Sequence, residues 1–285
     1  MVLSPIEASI KRKIESVGTP LKDWDINIYR GVLTGYNEAF IISTQKRDEI
    51  LANCQSDDER RRTEELIRPI LRGRDIKRYG YNWAGLYLIA TLPSRNYNIE
   101  EYPAVKDFLL SFGKERLEQT GKTYFLKGET IKARKKTNNK WFETQDSISY
   151  WEDFSRPKIM YPNMTKFIPF YYDTKGFYQN DKSFMITGPH IAFLTAFLNS
   201  SLFKFCFLDN FPELQGGTRE LRKIFFDKIP VLKVSDDIDA HFSALIKQLQ
   251  TDYSEKKAKE VDQAIFELYG LSKEECETIG YIEIR

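Results

Sequence analysis

The stretch KIMYPNMTKFIPFYYDTKGFYQNDKSFMITGPHIAFLTAFLNSSLFKFCFL, residues 158–208, contains both kinds of element from which the fold is built. Short runs rich in β-branched and aromatic residues predict strands at Lys158–Tyr161, Phe167–Tyr172 and Ser183–Thr187. A mostly apolar run follows from Ile191 to Leu208, and it predicts a buried pair of core helices, since polar residues interrupt it too often for a membrane span. Strands followed by helices indicate an α+β fold.

Aromatic side chains accompany these strands, and they fit either of two roles, base stacking or a sheet core. A stripe of aromatic residues can stack against nucleic-acid bases, but it more often forms the core of a sheet. We assign this stripe to the core; its members are Phe167, Phe170, Tyr171, Tyr172, Phe177, Tyr178 and Phe184.

The residues before this stretch predict a further mixture of elements. A short lead-in helix is expected at Ile6–Val17, and alternation predicts strands at Trp24–Leu33 and Ala39–Ile42. The turn between these two strands predicts a hairpin. Helical patterns follow at Thr44–Arg68, ended by Pro69, and at Tyr102–Gln119.

The chain after residue 234 changes to amphipathic helices. Apolar positions at helical spacing predict one helix through Phe242 and Leu249 and another through Val261 and Leu268, and Ser272 with Glu275 forms a capping box. We therefore predict an α+β fold: a mixed β-sheet body with packed helices and a C-terminal helical hairpin. The predicted divisions are 1–20 (lead-in helix or linker), 21–234 (main body) and 235–285 (helical tail).

Charge is distributed unevenly along the chain. The formal net charge is only +2. Residues 235–285, however, carry 12 acidic and 6 basic side chains, whereas residues 1–234 carry 37 basic and 29 acidic ones. A positive body with an acidic tail suggests a polyanionic partner for the body alone.

Several classes of function find no support in the residues. Three widely spaced cysteines in no CxxC pair argue against a disulfide framework or a zinc site and favour a reducing cytoplasm, and two histidines cannot form a His-rich metal centre. The patterns GxGxxG, GxxxxGK[ST], GxSxG and HExxH are missing, as are the Gly-rich turn and the Asn-Pro-Pro-aromatic loop of a methyltransferase. We expect no catalytic residue, metal or cofactor in this chain.

Two basic segments and several amide-bearing loops favour nucleic acid. KARKKTNNKW (132–141) combines lysine and arginine with asparagine and tryptophan, and RGRDIKRYGY (72–81) interleaves basic and aromatic residues. In the second segment Asp75 could instead pair with Arg72 or Arg78 and simply fix a turn. The residues assigned to DNA binding are Asn37, Arg74, Lys77, Arg78, Arg134, Lys135, Lys136, Lys140, Trp141, Asn163, Gln179, Gln215, Thr218 and Arg219.

Segments taken in order carry a resemblance to a known family. They are RGVLTGYNEAFII (30–42), ILRGRDIKRY (70–79), RPKIMY (156–161), AFLNS (196–200), QGGT (215–218) and VDQAIFELYGLS (261–272). Together they resemble the TaqI-like C-terminal specificity domain of N6-adenine DNA methyltransferases and type IIG restriction-modification enzymes, over roughly residues 20–280.

This resemblance implies a division of labour. The specificity domain reads double-stranded DNA, while a Rossmann-like methyltransferase domain holds S-adenosylmethionine and methylates a flipped adenine. We therefore expect this chain to be the recognition part of a longer enzyme whose catalytic domain lies outside these residues, with 21–234 as the DNA target-recognition domain. Two alternatives stay open: a protein-interaction module that docks on a catalytic partner through the acidic tail, and a small metal-dependent nuclease.

Overall fold

The computed structural model describes residues 3–282. The helices are α1 Pro5–Val17, α2 Asn37–Phe40, α3 Thr44–Ala52, α4 Asp57–Leu66, α5 Pro103–Leu110, α6 Lys114–Leu117, α7 Ile191–Leu198, α8 Ser201–Phe207, α9 Lys223–Phe226, α10 Asp236–Thr251, α11 Glu255–Leu268 and α12 Lys273–Ile279. The strands are β1 Gly18–Pro20, β2 Asn27–Arg30, β3 Ile41–Ser43, β4 Ile67–Leu71, β5 Ile76–Lys77, β6 Gly80–Tyr81, β7 Leu86–Ile89, β8 Thr123–Leu126, β9 Glu129–Lys132, β10 Lys158–Pro162, β11 Met164–Thr165, β12 Tyr171–Asp173, β13 Tyr178–Gln179, β14 Ser183–Thr187, β15 Arg219–Glu220 and β16 Pro230–Leu232.

Two four-stranded sheets form the centre of the body. The first has the order β12-β10-β14-β2, and all of its pairs are antiparallel. The second has the order β13-β4-β7-β3, in which β13 runs parallel to β4 and the other pairs are antiparallel. The predicted α+β class with a mixed β-sheet body is therefore confirmed.

The two strands expected to form an N-terminal hairpin lie in different sheets. β2 pairs with β14, so that Arg30 faces Phe184, and β3 pairs with β7. The helical turn α2 separates the two strands, so the hairpin prediction was wrong. Pairing of β2 with a strand some 150 residues further along leaves no local signal in the sequence.

The segment expected as one long polar helix contains two helices and the start of a strand. α3 ends at Ala52, and Ser56 caps α4 by accepting a hydrogen bond from Glu59 N. Pro69 lies inside β4, where Arg68 and Pro69 face Leu88 and Tyr87 of β7. The helix prediction was therefore wrong beyond Leu66, because tertiary pairing overrides the polar pattern.

The apolar run 191–208 forms the predicted pair of core helices. All eight residues of α7 are buried, and the larger of two main apolar clusters surrounds them. That cluster also includes Ile10 and Ile14 of α1, Phe242 of α10 and Ile265 of α11. Among residues 3–282, no single helix is long and apolar enough to cross a membrane; α7 with residues 201–210 passes on length and composition only as a pair bent by 66°.

A buried ion pair connects the edge of the first sheet to its centre. Lys158 Nζ bonds the carboxylate of Asp173 and also donates to Phe154 O at 2.6 Å, and both charged side chains are fully buried. Asp173 additionally accepts from the backbone amides of Lys175 and Phe177 at 2.9 and 3.0 Å. Burial lowers the pKa of Lys158. These bonds satisfy the charges that the apolar surroundings would otherwise destabilise.

The predicted helical tail consists of α10 and α11, joined by a short connection, followed by α12, whose capping box at Ser272 and Glu275 is present. Both α10 and α11 bury an apolar face in the larger cluster, and Glu275 also bonds Lys13 of α1 at 2.6 Å. The division at residues 20 and 234 stays a prediction. Residues 1–2 of the lead-in and 283–285 of the tail lie outside the described residues.

Candidate nucleic-acid interface

A cleft of about 1090 Å³ collects positive charge from distant parts of the chain. Its walls come from residues 73–78, residues 162–169, α8 with Leu208 and β15, and the tyrosines Tyr253 and Tyr281. Six basic side chains line it, and no carboxylate does so among the described residues: Arg74, Lys77, Arg78, Lys166, Lys204 and Arg219. The cleft is therefore suited to an anionic ligand.

The turn that forms one wall is built by a local ion pair. The Asp75 carboxylate accepts from Arg72 N at 2.8 Å, from Nε at 3.0 Å and from Nη2 at 2.9 Å. This bidentate geometry fixes the turn between β4 and β5, and the Asp75 carboxylate neutralises the charge of Arg72. Arg74 and Lys77 remain exposed, with Lys77 Nζ donating to Arg74 O at 2.9 Å. Asp75 thus pairs with Arg72 and fixes the turn, while Arg74 and Lys77 beside it stay available to a ligand.

Arg78 is held in place by the backbone of the core helices. Its Nε and Nη2 both donate to Asn199 O, at 3.0 and 2.8 Å. The Asn199 side chain in turn accepts from Phe170 N at 3.1 Å and donates to Phe170 O at 2.7 Å. Arg78 therefore ties the cleft wall to the junction of α7 and α8 through two of its five N–H donors.

The same junction is tied to the helical tail. Asp262 of α11 accepts from Ser201 N at 2.9 Å and from Ser201 Oγ at 2.5 Å, at the start of α8. Burial raises the pKa of the Asp262 carboxyl. The segments that carry the family resemblance at 70–79, 196–200 and 261–272 thus meet at one place. Their hydrogen bonds hold the wall of the cleft.

A smaller depression of about 560 Å³ adjoins the cleft and shares Gly73 and Arg74 with it. Its other polar lining residues are Asn37, Glu38, Arg72, Asn180 and Lys182, so one carboxylate stands among the cations. Asn37 is exposed, and its Oδ1 accepts from Thr34 Oγ1 at 2.6 Å, which orients the amide at the start of α2. A Cβ on Gly73 would lie 2.6 Å from Lys182 O, so only glycine allows this close approach.

The basic segment 132–141 divides into one buried arginine and several exposed cations. Arg134 is 4% exposed, and its guanidinium donates to the backbone oxygens of Thr34, Leu117 and Trp141 at 2.6, 2.8 and 2.8 Å. Burial lowers the pKa of Arg134 to about 10. Lys135, Lys136 and Lys140 are exposed. Trp141 is half-buried and packs edge-on against Phe142.

The remaining amide-bearing candidates lie in different environments. Gln179 is fully buried in β13, whereas Gln215 is exposed on a loop whose Gly216 approaches Lys166 at the cleft rim. Asn163 is half-buried, and its backbone bonds Lys182 O and Leu221 N.

The loop 215–219 closes back on the chain. Thr218 O accepts from Leu214 N at 2.6 Å. Arg219 donates to Phe211 O at 2.7 Å and forms an ion pair with Asp209 at 2.9 Å. The structure therefore brings Arg74, Lys77, Arg78 and Arg219 together in the cleft, with Gln215 at its rim, and places Asn37 beside it.

Three cations and one aromatic residue of this surface were missed in the sequence. Lys166 and Lys204 line the cleft, and Lys182 lines the depression, although each stands in an apolar or mixed segment. Phe167 is 73% exposed at the cleft, so its assignment to the sheet core was wrong. The charged Lys166, immediately before the predicted strand, was the available signal.

Within residues 3–282, no three His, Cys, Asp or Glu side chains lie close enough together to hold a metal ion.

Comparison with known proteins assigns the family. The profile of the TaqI-like C-terminal specificity domain matches residues 68–231, more than half of the chain. The chain belongs to this family of specificity domains. No curated protein matches it.

Two solved structures share its fold. The type IIG restriction endonuclease BpuSI matches with a TM-score of 0.54 and 12% identity over 94% of this chain and 34% of BpuSI. The type IIL restriction-modification enzyme MmeI, determined in complex with DNA, matches with a TM-score of 0.54 and 12% identity over 88% of this chain and 33% of MmeI. The chain thus spans about a third of the length of each enzyme.

Proposed function

We propose that this chain is the DNA target-recognition part of a restriction-modification enzyme, reading duplex DNA beside a catalytic domain outside these residues. The family assignment supports this proposal, and so does the fold shared with two restriction-modification enzymes, one of them determined with DNA. We further propose that the complete enzyme methylates adenine and that its catalytic domain holds S-adenosylmethionine. No residue of this chain is assigned to that cofactor or to the chemistry.

One observation carries the proposal: a single cleft is lined by six basic side chains without a carboxylate among the described residues. Lysine and arginine that neutralise DNA phosphates release condensed counterions, which makes binding favourable and strongly dependent on salt. Lys77, Lys166 and Arg74 are exposed and form no ion pair within the described residues, so they are available for phosphate.

Base reading is proposed for the depression beside the cleft. Asparagine can pair with the edge of adenine, and arginine with guanine. Asn37 and Arg74 both line the depression, and Lys182 adds a cation. Gln215 and Thr218 lie on the loop at the far rim of the cleft. Contacts to bases from loops on a rigid body are typical of recognition surfaces.

Three sequence candidates are proposed to act by positioning. Arg134 and Gln179 are buried, and two nitrogens of Arg78 donate hydrogen bonds to Asn199 O. Arg134 and Arg78 already donate to backbone carbonyls and would lose those bonds if they turned to DNA. We therefore assign phosphate contact in segment 132–141 to Lys135, Lys136 and Lys140.

The test compares two double variants of equal charge by fluorescence anisotropy on a random duplex over a range of salt. Lys77→Gln with Lys166→Gln removes two cleft cations, and Lys256→Gln with Lys273→Gln removes two exposed cations of the tail. Each lost phosphate contact reduces the slope of log K against log salt by about 0.9. We expect a reduction of about 1.8 for the cleft variant and none for the tail variant. Equal slopes for both would refute the cleft as the DNA site.

A further inference from the structure

A two-stranded hairpin, β8–β9, exposes most of its side chains. Its register pairs Thr123 with Lys132, Tyr124 with Ile131, Phe125 with Thr130 and Leu126 with Glu129. Lys127 and Gly128 form the two-residue turn with φ values of 50° and 83°, the left-handed geometry that tight hairpins require. Only Tyr124 and Ile131 of the two strands are half-buried, and the rest are exposed.

The two faces of this hairpin differ because successive side chains alternate across a strand. On the anchored face, Tyr124 Oη donates to Glu118 Oε2 at 3.0 Å, and Ile131 lies across from Tyr124. On the free face lie Thr123, Phe125, Thr130 and Lys132. Phe125 is 75% exposed there, more than any other large apolar side chain of the described residues. The body provides no packing for it, so its apolar surface is available to a ligand.

The charge around Phe125 specifies the kind of ligand. Residues 122–132 carry four exposed charged side chains, Lys122, Lys127 and Lys132 against a single acid, Glu129, and the chain continues into the exposed Lys135 and Lys136. An apolar partner surface would leave these lysines unpaired, whereas duplex DNA offers phosphates to the lysines and apolar groups to the ring. Phosphates flank the groove, and the C5-methyl group of thymine lies on its floor.

We infer that β8–β9 enters the major groove of the target duplex, with Phe125 packing on thymine methyl groups and Thr130 beside it on the base edges. This inference rests on the proposed function and adds Phe125 and Thr130 to the residues proposed to determine specificity. The major groove is about 12 Å wide and about 8.5 Å deep and admits a two-stranded ribbon. Four residues of strand extend ~13 Å, enough to reach the groove floor. Phenylalanine and threonine are both suited to contact with the thymine methyl.

The test begins with selection of preferred duplexes from a random library by the whole chain. The same selection is run on Phe125→Ala and on a matched control, Leu126→Ala, which alters the opposite face of the same hairpin. We expect the wild type and the control to choose the same sequence, and Phe125→Ala to lose preference for thymine at one or two positions. Binding to random duplex should be retained by all three.

Replacement of those thymines by uracil then removes only the methyl groups. For the wild type and the control, we expect each replacement to weaken binding about fourfold, the effect of one buried methyl. For Phe125→Ala, uracil and thymine should bind alike.

If Phe125→Ala keeps the wild-type preference and the same response to uracil, the inference is overturned while DNA recognition stands. If the wild type binds no duplex, both the inference and the proposed function fail.

Discussion

Replacement of Arg134 by methionine tests whether the centre of the basic segment stabilises the fold or binds DNA. Methionine retains an apolar stem beside the Phe40 ring, which lies 5.0 Å from the guanidinium carbon. It removes the donors to Thr34, Leu117 and Trp141. Bonds from a charged donor contribute about 1.5–3 kcal/mol each, so about 5–9 kcal/mol is lost in all.

Part of this loss is offset, because burial of the guanidinium is itself unfavourable. Burial lowers its pKa from the ordinary value of arginine to about 10, and a shift of that size corresponds to about 3 kcal/mol. We therefore expect Arg134→Met to reduce the free energy of unfolding by about 2–6 kcal/mol.

Urea unfolding measures this change, and Lys135→Met is the matched control, since it removes the exposed cation next in the chain. The control should change stability by at most about 0.5 kcal/mol. In DNA binding the expectation is reversed. Measured where both variants are folded, Lys135→Met should reduce the salt slope by about 0.9, and Arg134→Met should leave it unchanged. An Arg134→Met protein of normal stability with a reduced salt slope would refute the structural role.

Two further predictions concern the interior. Lys158→Met should lower the free energy of unfolding by about 3–5 kcal/mol, because it leaves the Asp173 carboxylate buried and unpaired. In urea unfolding, the double variant with Asp173→Asn should recover part of this loss. If it recovers none, the uncompensated charge is not the cause. Asn199→Ala should lower the free energy of unfolding by about 2–3 kcal/mol, since both of its side-chain hydrogen bonds to the Phe170 backbone disappear. Hydrogen exchange at the Phe170 amide should become faster, and Asn98→Ala is the exposed control. Unchanged exchange at Phe170 would contradict this prediction.

Local patterns predicted those elements whose cause is local. The apolar run 191–208 became α7 and α8, and the strands at 158–162 and 183–187 lie where β-branched and aromatic residues are concentrated. The Ser272 capping box formed as expected because both of its hydrogen bonds lie within four residues.

Elements that depend on distant partners were predicted poorly. β2 pairs with β14, and Arg134 is buried because the carbonyl of Thr34, 100 residues away, accepts from it. The segment around Arg134 is otherwise highly charged and reads as a solvated loop. The cleft has the same origin: Lys166 and Lys204 become parts of one site only when residues 73–78 fold against them. The spacing of apolar residues along the chain carries no information about contacts between such distant segments.

The segments that carry the family resemblance contain residues that hold the scaffold as well as exposed residues proposed to contact DNA. Arg78 bonds Asn199, Ser201 bonds Asp262, and each of these bonds links segments far apart in sequence. The side chains proposed to touch DNA, such as Lys77, Asn37 and Phe125, are exposed and form few bonds within the chain. Substitutions at exposed positions usually change stability little. We therefore expect substitutions at exposed residues such as Lys77 and Phe125 to change the proposed DNA binding while the hydrogen bonds between the helices and the cleft wall stay intact.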